Sequence, residues 1–338
     1  MTDAENYMRA VEFRGPDRIP YNVFIMPATR RKYGKSLEDL ISGYPEIAKS
    51  YQVGSREYYS LPEGYKKGTY VDEWGCEWGN LHTGMIGQVT RFPLADWDKF
   101  SAYEPPDPYA GVDWQETEKS FRLAKEAGRL ARGHGGSMFH RLTFLRGFQN
   151  LMLDIAEGSD ALHEMIRIVQ DYEVRRTARY LDIGAQIMSY GDDLGIQTGL
   201  PMSPEHFRRY FGPSFAKIFG MCRQADAHVY LHTDGNILEI MDDLIEYGVT
   251  ILNPEDYPNG LENIAKTCKG KVCVDLTFAQ QFFPSYSPVD IFSYFARVVK
   301  TLGSKDGGLI WYVEIDPDVP FENIEAIFSA VREYHTHI

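Results

Sequence analysis

From about Gly135 onward, short runs of apolar, β-branched or aromatic residues alternate with longer segments whose apolar positions recur at helical spacing. This is the pattern of βα units, which build a parallel sheet. Ser137–Phe144, Gln186–Tyr190, His228–His232, Val249–Asn253, Lys271–Leu276 and Leu309–Ile315 read as strands. Phe148–Glu157, Asp160–Asp182 and Ile237–Tyr247 read as helices, the last closed by Gly248. Pro320–Tyr334 is amphipathic, with Ile324, Ile327, Phe328 and Val331 on one face. Ser203-Pro204 and Ser287-Pro288 each open a helix with a serine cap and a proline at the first helical position, where its missing N–H costs nothing. Ile19–Ile25 and a weaker candidate near Tyr58 bring the six strands to eight. The expected fold is therefore α/β, a (β/α)8 TIM barrel. A doubly wound sheet is the alternative, but no G-x-G-x-x-G follows the early strands. Gly68–Phe92, with Tyr70, Trp74, Trp78 and several glycines, reads as a β-hairpin insertion ahead of a helix over Asp113–Ala131. No internal repeat or flexible linker interrupts the chain, so residues 1–338 are expected to form one barrel domain.

Composition narrows the partners. The 35 basic and 48 acidic side chains give a net charge of −13, and the basic residues are scattered. Nucleic acid and anionic membrane surfaces are polyanions that need clustered Lys and Arg, so neither is expected as a partner. No apolar run is long enough to span a bilayer, and Met1–Asn6 lacks the basic and apolar regions of a signal peptide, so a cytoplasmic location is expected. The four cysteines, Cys76, Cys222, Cys268 and Cys273, form no C-x-x-C, which argues against a disulfide framework or a cysteine zinc cage.

In a (β/α) barrel the chemistry sits at the C-terminal ends of the strands. Those ends carry Tyr190-Gly191-Asp192-Asp193, His232-Thr233-Asp234, Asn253-Pro254-Glu255-Asp256, Asp275-Leu276-Thr277 and Glu314-Ile315-Asp316. The result is a carboxylate rim around one histidine. Residues two apart on a strand share a face, so His232 and Asp234 should converge at the mouth as a metal site, an acid/base pair or an ion pair. Asp234 also has the alternative of capping the helix that follows. Adjacent Asp192 and Asp193 cannot both sit ionised in one buried pocket; one contacts substrate while the other caps or pairs, and Asp193 is the one read as catalytic. Tyr190, Asp192, Asn253, Arg141 and Trp311 are read as substrate contacts, although Trp311 also suits the core and Arg141, like Arg146, also suits ion pairing. Tyr58, Tyr59, Trp74, Trp78 and Tyr312 are further candidates to line a pocket for a flat ligand.

Gly191-Asp192-Asp193-Leu194-Gly195-Ile196-Gln197-Thr198-Gly199, Ser203-Pro204-Glu205-His206-Phe207, Leu231-His232-Thr233-Asp234-Gly235-Asn236, Leu252-Asn253-Pro254 and Pro317–Ile324 together resemble the uroporphyrinogen decarboxylase superfamily. That superfamily of (β/α) barrels also contains corrinoid-dependent methyltransferases, which the chain resembles most around His232. Zinc-dependent members carry His-x-Cys-Gly-Asn there and a further Cys near the last strand end. Here Asp234 replaces the first Cys, and Val313, beside Glu314, stands at the second. A thiolate-bound zinc suits activation of a thiol acceptor, so the resemblance implies the other half-reaction. A methyl group would pass from a small donor, a methoxylated aromatic compound above all, to the cobalt of a partner corrinoid protein. His232, Asp193 and Asp234 would then be the catalytic groups, and His232, Asp234 and Glu314 the ligands of any zinc. Barrel relatives are commonly homodimers, which makes a second copy a further expected partner. The alternatives are a porphyrinogen decarboxylase and a barrel that only binds a ligand or a corrinoid protein. Decarboxylases of the family meet their polycarboxylate substrate with arginines in Met-Arg-Gln-Ala-Gly-Arg-Tyr, of which Met26-Pro27-Ala28-Thr29-Arg30-Arg31-Lys32-Tyr33 is a faint echo. The acidic rim would also repel such a substrate.

Overall fold

The computed structural model describes residues 1–49, 51 and 60–337. Its strands are β1 (Tyr21–Ile25), β2 (Gly68–Val71), β3 (Glu77–Asn80), β4 (Gln88–Arg91), β5 (Arg132–His134), β6 (Ile187–Gly191), β7 (His228–Thr233), β8 (Ile251–Pro254), β9 (Cys273–Thr277) and β10 (Leu309–Ile315). Seven of them form one sheet in the order β1-β10-β9-β8-β7-β6-β5, and every pairing in it is parallel. Parallel neighbours require crossovers, and the helices between the strands supply them, which makes this a TIM-barrel fold. β1 and β5 are the edges of the described sheet. The strand candidate near Tyr58, and Tyr59 with it, lie outside the described residues.

Alternation along the strands divides two cores. Val229, Leu231, Leu276, Trp311 and Val313 join the large cluster beneath the helices. Ile187, Ile251, Cys273 and Ile310 point the other way and form a separate cluster inside the barrel, plugged by Ala10 and Val11 of the N-terminal helix Asp3–Val11. Trp311 is fully buried on the outer face, edge-on to Phe295 at 5.4 Å and to Phe278 at 6.0 Å between ring centroids. It is a core residue, which corrects its reading as a substrate contact. Trp311→Ala is expected to cost roughly 3–5 kcal/mol in denaturant unfolding; a cost below about 1 kcal/mol would contradict this placement.

The segment expected as a strand over Ser137–Phe144 is a helix, Phe139–Arg146, and the strand precedes it as β5. Its apolar residues suit either element, and the neighbouring sequence hides the strand because Gly133, Gly135 and Gly136 give it no apolar signature. Those glycines are demanded by packing: a Cβ on Gly135 would lie 2.1 Å from the Tyr190 ring, and one on Gly136 would lie 2.4 Å from Glu173 Oε1.

The insertion forms a three-stranded antiparallel sheet in the order β2-β3-β4. It touches the chain after each of the two edge strands of the described barrel sheet. Gly84 presses on Ala28 just beyond β1, where a Cβ would come within 2.7 Å of the Ala28 nitrogen. On the β5 side, Trp78 packs edge-on to Phe144 at 4.9 Å. Among the described residues no helix is long and apolar enough to cross a membrane.

Candidate functional site

The loops after β6 and β7 interlock. Gly195 N donates to the Asp234 carbonyl at 3.1 Å and Asn236 N to that of Ile196 at 2.8 Å. The approach is so close that a Cβ on Gly235, whose φ is +80°, would lie 2.2 Å from the Gly195 carbonyl carbon. This contact brings Asp193 and Asp234 to the same histidine. His232 Nε2 lies 3.4 Å from Asp234 Oδ1 and 3.8 Å from Asp193 Oδ1. Asp193, His232 and Asp234 each offer a ligand atom, all within 4.8 Å of one another.

Asn253 decides what His232 presents. Buried at the end of β8, it donates through Nδ2 to the Asp275 carbonyl and, at 2.8 Å, to Thr277 Oγ1. A carbonyl only accepts, so the amide orientation is set and Oδ1 faces His232 Nδ1 at 2.7 Å. His232 therefore carries its hydrogen on Nδ1 and turns an Nε2 lone pair toward the two carboxylates. Asn253 is a support for the histidine, which corrects its reading as a substrate contact.

Burial pushes the Asp234 carboxyl up to about 6; His232 pulls it down while Asp193 and Glu255 push it further up. Burial likewise raises Glu314 to about 7, assisted by Asp316 and Asp234 and opposed by His232. Asp275, inside the barrel with Oδ1 unpaired, is raised to about 7 by burial against the pull of Arg132. Carboxyls clustered at a mouth and displaced upward are the property expected of groups that exchange protons or hold a cation. Among the described residues the group placed to hold a metal ion is Asp193, His232 and Asp234, so of the set read from sequence as His232, Asp234 and Glu314, Glu314 is not brought into it. One nitrogen and two carboxylates suit zinc; tetrahedral bonds of about 2.0–2.1 Å set ligands about 3.3 Å apart, against 3.4 and 3.8 Å from His232 Nε2 to the two carboxylates and up to 4.8 Å within the group. A histidine whose other nitrogen donates to an amide oxygen is also the usual support of a metal ligand. No cysteine belongs to the group; all four are buried and free.

Other expected contacts face elsewhere. Asp192 is 1% exposed. Its carboxylate accepts from the backbone N–H groups of Met138, Phe139 and His140 at 2.7, 2.9 and 2.7 Å. It caps the helix Phe139–Arg146 and has no face left for a substrate. Tyr190 points outward, with its hydroxyl 2.8 Å from Thr177 Oγ1 and 3.4 Å from Cys222 Sγ, because residues at odd and even positions of β6 face opposite sides. Arg141 donates to Asp72 Oδ2 at 3.0 Å and lies over the Trp74 ring, so it anchors the insertion sheet. Arg146 likewise pairs with Asp154 at 2.7 Å. Arg141→Ala removes the cation beside the largely buried Asp72, which keeps its bonds from Trp74 N, Cys76 N and Trp78 Nε1, and is expected to cost about 2 kcal/mol. Hydrogen exchange should then accelerate over residues 68–91; unchanged protection there would refute the anchoring role.

Sequence reasoning missed His140, whose Nδ1 lies 3.3 Å from Asp193 Oδ2. Its signal was present as a histidine in the first turn of the helix that Asp192 caps, but only once that segment is read as a helix.

The family model described as uroporphyrinogen decarboxylase (URO-D) matches residues 75–334. No curated protein sequence matches the chain. A solved methyltransferase from Methanosarcina mazei is similar in fold, with a TM-score of 0.68 and 17% identity over 99% of both chains. A B12-independent methionine synthase from Shewanella sp. W3-18-1 (8% identity, 65% of this chain and 64% of that chain) has a TM-score of 0.38. A dihydropteroate synthase from Anaplasma phagocytophilum (12% identity, 59% and 71%) has a TM-score of 0.37. Neither of these two similarities is close enough to carry an argument.

Proposed function

We propose that this chain, which belongs to the uroporphyrinogen decarboxylase family, moves a methyl group from a small methoxylated aromatic donor to the cobalt of a corrinoid protein. The observation that carries this reading is the convergence of Asp193, His232 and Asp234 on one point at the barrel mouth. In the reaction the methyl carbon parts from oxygen, which keeps the bonding pair, and the acceptor's cobalt(I) supplies the pair for the new bond. The difficulty lies in releasing an alkoxide or phenoxide, so the enzyme must neutralise charge that develops on oxygen.

His232 presents Nε2 at that point, Asn253 keeps the ring from turning, and the two aspartates favour positive charge there. Asp193, His232 and Asp234 would hold zinc. Bound there, zinc supplies a Lewis acid for the leaving oxygen. Phe24, packed parallel to Tyr312 at 6.4 Å, gives the barrel interior a flat apolar wall below Glu314 that suits an aromatic ring.

The test mixes purified protein with a Co(I) corrinoid and methoxylated phenols, and the expected result is the methylcobalt spectrum. Absence of any spectral change across a donor panel, with CO2 released from a porphyrinogen, would replace this reading with decarboxylation. The acidic rim speaks against that alternative, because a polycarboxylate would meet the carboxylates of Asp193, Asp234, Glu255, Glu314 and Asp316.

A further inference from the structure

Asp193 has two carboxylate oxygens with different surroundings. Oδ1 faces His232 Nε2 at 3.8 Å and accepts from Asp234 N at 3.3 Å. Oδ2 faces His140 Nδ1 at 3.3 Å. His140 lies in the first turn of the helix that Asp192 caps, so its backbone is fixed by a buried carboxylate. Its ring packs on Phe144, with centroids 4.2 Å apart, and Phe144 in turn meets Trp78 of the insertion sheet at 4.9 Å. His140 is outside the group of converging ligands, so nothing in the proposed chemistry accounts for it.

We propose that His140 is a positioning residue: its Nδ1, 3.3 Å from Asp193 Oδ2 but not aligned on it as a hydrogen bond, turns slightly so that Nδ1–H donates to Oδ2 and directs Oδ1 toward His232, while Phe144 and Trp78 pack the ring there. The terminal torsion of an aspartate is broad and nearly two-fold, so a carboxylate held at one oxygen swings easily. Tethering Oδ2 removes that freedom before any ligand arrives. The ionised carboxylate only accepts, so His140 must carry its hydrogen on Nδ1. The insertion sheet then acts on the site through an aromatic run, without sending a side chain into it.

The inference rests on the proposed function only where zinc is the readout. Zinc affinity is measured by competition with a chromophoric chelator. His140→Phe keeps a ring without a donor and is expected to weaken zinc roughly 10–100-fold, the usual effect of losing a group that orients a metal ligand. His140→Asn places its amide nitrogen where the histidine has Nδ1 and should recover most of the affinity, whereas His140→Gln, which reaches too far, should not. Trp78→Ala should weaken zinc less than His140→Phe and add nothing to it in the double variant, since both act through one contact. Equal affinity in the wild type and His140→Phe would overturn the proposal, as would equal recovery by Asn and Gln.

A second readout needs no metal. The 15N imidazole spectrum should show neutral His140 protonated on Nδ1, with reversion to a mixture in Asp193→Ala. A wild-type protein that binds no zinc would overturn the metal reading of the site. The positioning role would then be decided by this spectrum: an Nε2–H ring in the wild type overturns it, and an Nδ1–H ring lost in Asp193→Ala supports it.

Discussion

His232→Ala is expected to reduce kcat/KM for methyl transfer by roughly 10³-fold or more, the range set by loss of a general acid or of a metal's Lewis acidity. The histidine supplies the one nitrogen of the converging group, and neither neighbouring carboxylate can replace its Nε2 lone pair. Stability should change little. The His232 side chain is 33% exposed, so its removal leaves no sealed cavity, and the main loss is the hydrogen bond to Asn253. That bond is worth about 1 kcal/mol. The rate of appearance of the methylcobalt spectrum checks the first expectation, and donor binding to the variant, followed by calorimetry, separates catalysis from recognition. Retained donor affinity with lost turnover would exclude a barrel that merely binds. A variant that keeps more than about a tenth of the wild-type rate, a barrier change under about 1.4 kcal/mol, would remove His232 from the catalytic group.

Asp192→Ala should lose roughly 3 kcal/mol of stability or more, since it strands N–H groups worth about 1–3 kcal/mol each. Met138, Phe139 and His140 all direct their N–H groups at this one carboxylate, and Met138 and Phe139 are buried. Burial pushes the Asp192 carboxyl up to about 7 while those three donors pull it down, so the anion depends on them as they depend on it. Because the same helix start carries His140, the variant should also lose zinc affinity. Denaturant unfolding followed by circular dichroism measures the main effect. Unchanged stability with a raised donor KM would return Asp192 to the role of a substrate contact.

The sequence-based reading of residues two apart on a strand was sufficient to pair His232 with Asp234, and it held a further signal that went unused. If Glu314 faces the mouth, Tyr312 must share its face and Trp311 must point outward. The same parity sends Tyr190 away from the interior. Other features had no local signature. Asp192 and Asp193 are chemically identical neighbours, and what separates them is a helix start more than fifty residues earlier in the chain. His140 was hidden because an apolar run of that length suits a strand as well as a helix.

What the sequence determined by itself is whatever depends on short-range periodicity and composition. The helix Asp160–Asp182 and the strand Leu309–Ile315 lie where apolar spacing put them, and the alternation of strand and helix specified a parallel barrel. The carboxylate rim and the absence of thiols beside His232 were also legible, because βα order alone assigns residues to strand ends. Tertiary structure decided which of those acidic groups meet the histidine. Asp193 reaches His232 because Gly195 and Gly235 let two loops cross in contact, and Asn253 sets the imidazole hydrogen from a neighbouring strand. Such contacts depend on distance in space between residues far apart in the chain, and apolar periodicity carries no information about that distance.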